Sequence, residues 1–397
     1  MDRRLLMLAL GMFALGTDSF VVAGVLPELA RHFHVGIGAA GQMTTAYALS
    51  YAILAPLIAA VAAHIPRKRL LLGSLSIFVV ANLLTAVAPT FWFAIATRVL
   101  AGVGAAMFAP TATGTAAMIV PPERRGFALS VIIAGLTFAT ALGSPIGTVI
   151  GGLGDWRYTM VFVAALATAA ALGVAMLLHD VPLPPQISLR ERIAPLHDSR
   201  VALTLLTTLL GQTGNFIVYT YFAVIFDRVI GGSTAFLGIL LVLWGSAGTA
   251  MNLIAGRYID RIGSRKVLLF MFTILIANMA LIPWATAWLV TGVLVIVVFG
   301  ACAWGFQVPQ QHRLVHLAPT SAPVVLGLNT AGTYFGVSTA GALGAAGLAT
   351  VGAHNLALVS SGFMVMALIV AELAHRRIHA LERRASVKQG VAVACAS

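Results

Sequence analysis

Charge is scarce in this chain, and acid is scarcer still. Of 397 residues 9% are charged, with 12 Asp and Glu against 24 Lys and Arg. Two cysteines exclude a disulfide framework. Cys302 falls in an apolar run, and Cys395 has only Ala396 and Ser397 after it, so it forms no prenylation box. The sequence shows no metal-ligand cluster, phosphate-cradling loop or nucleophile–base set, so no metal, cofactor or enzymatic activity is expected. His312 and His316 flank Arg313 and read as interfacial side chains rather than ligands.

What is present is apolar. The chain is 60% hydrophobic, with a mean hydropathy of +0.97. A soluble fold of this size has nowhere to hide that surface, so lipid is the solvent. A spanning helix needs roughly 20 mostly apolar residues. Twelve such runs are visible, at about 5–27, 40–63, 70–89, 91–119, 127–153, 157–178, 201–226, 235–256, 267–286, 288–311, 325–350 and 355–374. The first is too long for a signal-peptide core, and it contains an acid. The expected fold is therefore an all-α membrane protein of twelve transmembrane helices.

With both chain ends cytoplasmic, the inner segments carry 20 of the 24 Lys and Arg, and the outer segments carry Arg31, Arg157 and Arg228. That is a strong positive-inside bias. It accounts for the net charge of +12 as a topology signal with attraction to anionic lipid, so no nucleic-acid partner is expected. The longest polar connection, 179–200, contains Pro182, Pro184, Pro185 and Pro195 and reads as a linker. It divides the chain into an N-terminal six-helix bundle (1–178), a C-terminal six-helix bundle (201–375) and a cytoplasmic tail (376–397).

The halves repeat at an offset of 197 residues. The loop Ala59–Arg69 matches Gly256–Lys266, each a small residue, a short turn and a basic cluster. Gly135, Ala139, Gly143 and Gly147 of span five match Gly332, Gly336, Ala340 and Gly344 of span eleven. Two parallel six-span halves imply alternating access around a midplane site.

Asp18 is the one acid near a span centre, about 13 residues into span one or roughly 20 Å at the helical rise. A carboxylate at that depth costs about 2.5–3.5 kcal/mol on insertion scales and is a functional candidate by default. It is read as a proton-coupling group, against a structural acid or a direct contact for a cationic substrate. At the repeat offset Asn215 stands opposite it and cannot titrate. Arg98 stays charged. It either tunes Asp18 and senses its proton, or clamps neighbouring carbonyls. Gly135, Ala139, Gly143, Gly147 and Gly151 repeat by four around Pro145. They read as a hinge face in tight contact with a helix of the other half, or as ordinary small-residue packing. Substrate-binding candidates within spans are Tyr47, Tyr51, Phe138, Gln212, Asn215, Tyr219, Trp244, Gln307 and Asn329. Ring faces and amides suit a small neutral or amphipathic solute.

At these residues the chain resembles the major facilitator superfamily, in particular its twelve-span drug:proton antiporters, bacterial sugar-efflux and chloramphenicol-resistance exporters among them. Gly256…Asp260-Arg261-Ile262-Gly263-Ser264-Arg265-Lys266 is similar to that family's loop motif. Arg98–Ala106 resembles its buried-arginine motif, and Gly135–Thr148 its antiporter motif. Asp18 followed by Pro27 is similar to its first-helix pattern. The resemblance implies two pseudo-symmetric six-helix bundles and a monomeric, proton-coupled exporter in the bacterial inner membrane. It also implies gating roles for Gly143, Pro145, Gly147, Asp260, Arg261, Gly263 and Arg265. The first loop copy departs from the motif: Ala63 replaces the acid and Pro66 the glycine, so an N-terminal latch there has no carboxylate. The other readings are a facilitator or importer of a small metabolite, a non-transporting receptor on a transporter fold, and a membrane enzyme. Counterflow in proteoliposomes separates transport from the last two.

Overall fold

The computed structural model describes residues 2–179, 181 and 188–394. Pro182, Pro184, Pro185 and Cys395 lie outside the described residues, as do the side chains of Ala63 and of 382–394. Twelve helical stretches are long and apolar enough to cross a membrane: Arg3–His32, Ile37–Val61, Arg67–Ala86, Phe91–Met118, Pro122–Gly152, Arg157–Leu177, Ser199–Thr220, Thr234–Ile262, Ser264–Ala285, Leu289–Leu317, Pro319–Val351 and Leu356–Leu381. They are spans one to twelve, and each coincides with an expected run. Side chains mark several starts: Asp2 accepts from the Arg4 amide, Thr90 from Phe93, Asp198 from Arg200 and Ser233 from Phe236. Each supplies an acceptor for an amide that has no partner in the first turn. Span eight ends at Gly263, whose φ of 84° is open to glycine and strained for other residues.

The repeat is visible in the packing. In the first half, span one packs on five and six, span four on two and three, and span three on six. In the second half, span seven packs on eleven and twelve, span ten on eight and nine, and span nine on twelve. These are the same five pairings shifted by six spans, which makes the halves pseudo-symmetric bundles. Each bundle has its own apolar core. The cores join between the halves: Phe20, Ala23, Leu26 and Ala30 of span one, with Ala40 and Ala48 of span two, belong to the core of the second half, and Tyr334 of span eleven packs against both cores.

An even number of spans puts both ends of the described chain on one face, the terminal face. The halves meet chiefly through spans two with eleven and five with eight. The close contacts lie at midplane and toward the opposite face. Gln42 Nε2 donates to the Gly341 carbonyl at 3.2 Å, and Gly238 and Gly245 of span eight abut Val149 and Thr140 of span five. At the terminal face, a short linker helix, Leu189–Ile193, touches both span two and span eleven. A Ser188–Glu191 capping box starts it, and Arg192 donates to the Ala59 carbonyl at 3.1 Å. The last helix does not stop at the expected start of the tail but continues to Ala394.

Span five is not one regular helix. Ala139–Gly143 form a π-helical turn immediately before Ser144–Gly152. Pro145 has no N–H to give to the preceding turn, and the widened turn absorbs that lost bond where a simple kink was the alternative.

Candidate substrate and proton site

Asp18 lies at the middle of span one, and Arg98 reaches it from span four. The pair is bidentate, with Nη1–Oδ1 at 2.8 Å and Nη2–Oδ2 at 2.9 Å. Both side chains are sealed, at 0% and 1% exposure. The parallel two-bond geometry is the strongest way a guanidinium can hold a carboxylate. Asn82 Oδ1 of span three stands 3.5 Å from Nη1, and the Arg98 guanidinium lies 4.9 Å above the Tyr47 ring. The Ser19 hydroxyl is 3.0 Å from that of Tyr47. Tyr334, from the other half, stacks on Tyr51 at 3.8 Å between centroids and faces Ser19 and Asp18. Tyr47 and Tyr334 therefore stand beside the one buried ion pair among the described residues, with Tyr51 stacked behind Tyr334. The second half has no counterpart to it. At the repeat offset Asn215 faces Gln212, 3.1 Å away, and Val295 takes the place of Arg98, its carbonyl accepting from Asn278.

Beside the pair is an aromatic cluster built from both halves. The Phe20 ring lies 6.0 Å from Phe216, 5.4 Å from Tyr219, 6.4 Å from Trp244 and 5.8 Å from Trp304. The Tyr219 hydroxyl donates to the Phe20 carbonyl at 3.0 Å and lies 3.3 Å from Ser144 of span five. The indole N–H groups of Trp244 and Trp304, the Gln212 amide nitrogen and Asn215 Oδ1 are buried without a hydrogen-bond partner among the described residues. Buried polar groups are ordinarily paired, so three open donors and one open acceptor near midplane mark a place for a ligand's polar groups. Below it, Thr208 donates to Asn329 and Gln310 to the Thr204 carbonyl, which continues a polar ladder along span seven.

The structure thus brings together Tyr47, Tyr51, Asp18 and Arg98 on one side, and Gln212, Asn215, Tyr219 and Trp244 on the other. Asn329 joins through Thr208. Gln307 is half-buried where span ten breaks between Gly305 and Gln307. Phe138 joins neither group: it is 53% exposed. Sequence reasoning missed Phe20, Phe216, Ser19 and Asn82. At the offset of 197 Phe20 aligns with Ile217 and Phe216 with Ser19, so the two rings are not repeat mates and the repeat carried no signal for them.

A family model described as Major Facilitator Superfamily matches residues 8–323. The chain belongs to the major facilitator superfamily. It is 32% identical over 307 residues to the uncharacterised MFS-type transporter YfhI of Bacillus subtilis, a match covering 76% of each chain. It is 34% identical over 267 residues to a chloramphenicol resistance protein of Streptomyces lividans, covering 65% of this chain and 67% of that one. Its fold matches that of a bacterial homologue of the human lysosomal transporter Spinster, solved inward-facing and unoccupied. That match has a TM-score of 0.72 at 17% identity and covers 94% of this chain and 96% of the other. The chain is a multi-pass membrane transporter of this superfamily.

Two expectations about the superfamily's motifs need correction. The four-spaced glycine face of span five does not meet the other half. It packs on spans one and six of its own bundle: a Cβ on Gly135 would strike the Ala9 carbonyl, one on Gly143 Thr17, and one on Gly147 would lie 2.6 Å from Val21 of span one and 3.3 Å from Thr159 of span six. The face that meets span eight is the adjoining one, with Thr140, Ala141, Pro145 and Val149. Four-residue spacing identifies a face but not its partner.

The second concerns the loop after span eight. The motif gives Asp260 a gating role there. It is exposed in the last turn of span eight, next to exposed Arg261, and makes no ion pair among the described residues. Arg265 instead binds Glu372 of span twelve, with Nη2–Oε1 at 2.8 Å and Nε–Oε2 at 3.2 Å. Both partners are partly exposed, so the bridge contributes about 0.2–1 kcal/mol. Glu372→Gln is expected to lower thermal stability in detergent slightly, and Asp260→Asn to leave it unchanged. A larger loss in Asp260→Asn than in Glu372→Gln would contradict this assignment.

Proposed function

We propose that the chain is a proton-coupled efflux transporter, an antiporter that exports small neutral or amphipathic organic solutes across the bacterial inner membrane. Drugs and sugars are the substrate classes in view. The observation that carries the reading is the Asp18–Arg98 pair, a single titratable acid held at midplane and two residues from an aromatic cluster with unmatched hydrogen-bond donors. The relative named for chloramphenicol resistance supports export. In this reading the terminal face is cytoplasmic, as the arginine and lysine distribution favours. Residues 1–178 and 201–375 are the rocking bundles, 179–200 the linker and 376–397 the tail, and the monomer is the working unit. The close contacts between the halves then lie at midplane and toward the periplasmic end. Tyr47, Tyr51 and Tyr334 guard the proton site, while Gln212, Asn215, Tyr219 and Trp244 hold the solute. Gly143, Pro145 and Gly147 set the shape of span five. Gly263 and Arg265 hold the loop at the cytoplasmic end.

The cycle follows from competition. With Asp18 ionised, Arg98 locks span one to span four and the solute site is loaded from the cytoplasm. Protonation from the outside weakens the pair, and its release inside restores it. The test uses proteoliposomes and chloramphenicol as the probe. An imposed pH gradient should drive its accumulation against its own gradient, and a protonophore should abolish that accumulation. Accumulation that ignores the pH gradient would favour a facilitator. Absence of counterflow with phenicols, sugars and nucleosides alike would remove the transport reading of this site.

A further inference from the structure

We infer that Phe20 is the residue through which the protonation state of Asp18 is passed to the substrate cluster of the opposite half. The inference rests on the reading of Asp18 as the proton site. Three consecutive residues of span one face three different partners. Asp18 is clamped by Arg98, Ser19 touches the Tyr47 hydroxyl, and Phe20 enters the second half. Phe20 is 6% exposed, and its ring packs with Phe216, Tyr219, Trp244 and Trp304 from spans seven, eight and ten. Its carbonyl also accepts the Tyr219 hydroxyl. Asp18 and Phe20 are both part of one helical turn, so a rotation or shift of span one that lengthens the Asp18–Arg98 pair must also move the Phe20 ring. Packed aromatic clusters shift between discrete arrangements rather than deform smoothly.

The coupling needs a physical difference between two states, and the ion pair supplies it. The ionisable groups that face Asp18 are Arg98 from span four, Tyr47 from span two and Tyr334 from span eleven. Arg98 is the one positive charge among them, so neutralising Asp18 removes the attraction that fixes span one. The ring of Phe20 then leaves or re-enters the space beside the Trp244 and Trp304 indoles, whose N–H groups are unmatched. Coupling of this kind is reciprocal: whatever the proton does to the cluster, a solute in the cluster does to the proton. Spatial intermediacy alone does not prove such a link, so the test must measure coupling directly.

The test is ligand-free and uses the full chain in nanodiscs. Trp92, Trp156, Trp284 and Trp288 are replaced by Phe, which leaves Trp244 and Trp304 as reporters. Tryptophan emission is followed against pH, and Asp18 protonation is followed separately by the carboxyl infrared band. The parent should show an emission change that tracks the carboxyl band and is lost in Asp18→Asn. In Phe20→Ala the band should still titrate while the emission response is lost. Phe20→Leu keeps the side-chain bulk without the aromatic contacts and guards against a folding defect; it too should lose the response. A response in both Phe20 variants equal to the parent's would overturn the inference, as would a parent whose carboxyl band titrates without any emission change. If the band does not titrate in the parent, the proton reading of Asp18 fails and this inference falls with it. The two failures are therefore told apart by which signal is missing.

Discussion

Asp18→Asn should abolish uphill, pH-driven export and also weaken the fold. The first effect follows from chemistry: asparagine keeps the size and hydrogen-bonding shape of the carboxylate and cannot take up or release a proton. The second follows from the geometry of the pair. Arg98 makes both terminal bonds to Asp18 and stays charged in every state. Its Nε already lacks a partner. Removing one member of a buried ion pair costs about 3–5 kcal/mol, because the other charge is left in a low-dielectric site. A single variant would confuse lost coupling with lost folding, so the decisive comparison is with Asp18→Asn/Arg98→Gln. The double variant removes both charges and should recover most of the thermal stability, as replacement of a whole buried pair by neutral groups is often close to neutral. It should still fail to build a substrate gradient from a proton gradient while keeping counterflow. Uphill accumulation by the stable double variant would end the proton role of Asp18.

How much of this was legible in the sequence differs between fold and site. The twelve spans were legible because each must satisfy its backbone within one long apolar helix, and length and hydropathy record that requirement directly. The pseudo-symmetry was legible through loop and glycine matches at one offset. The solitary acid was legible because lipid makes acids rare. What the sequence did not show was direction. Gly147 and Pro145 are two residues apart, yet the first faces Val21 of its own bundle and the carbonyl of the second faces Gly238 of the other. The spacing of small residues is the same for both kinds of contact. The Arg265–Glu372 bridge was hidden for a related reason: its partners are 107 residues apart and joined by tertiary packing alone. Phe20 reads as an ordinary apolar residue until the second half is placed around it.

The strongest mechanical effect is expected at Gly245 rather than at Gly147. Gly147→Leu would strike Val21 and Thr159 inside the N-terminal bundle, so it should damage folding first. Gly245 of span eight lies between the halves. A Cβ there would stand 2.5 Å from the Thr140 carbonyl oxygen and 2.8 Å from the Ala141 Cα, both backbone atoms of the π turn. Backbone atoms cannot swing aside as a side-chain tip can. Overpacking at such a contact costs about 1–3 kcal/mol, which is roughly a 5- to 150-fold change in the ratio of two states if only one of them makes the contact. Gly245→Leu should therefore disfavour the arrangement closed at the face opposite the termini, while each bundle keeps its own core intact. The measurement is paired. Thermal stability in detergent should fall far less than for Gly147→Leu. Cysteines introduced at Gly38 and at Thr234, on the closed side of the interface, should become more reactive toward an impermeant maleimide added from that side. Exchange should slow, because a cycle that cannot close one face cannot complete. If Gly245→Leu exchanges substrate normally and leaves both cysteines protected, the contact of spans five and eight is static packing, and closure must be carried by spans two and eleven, where Gln42 and Thr45 bind the carbonyls of Gly341 and Ser338.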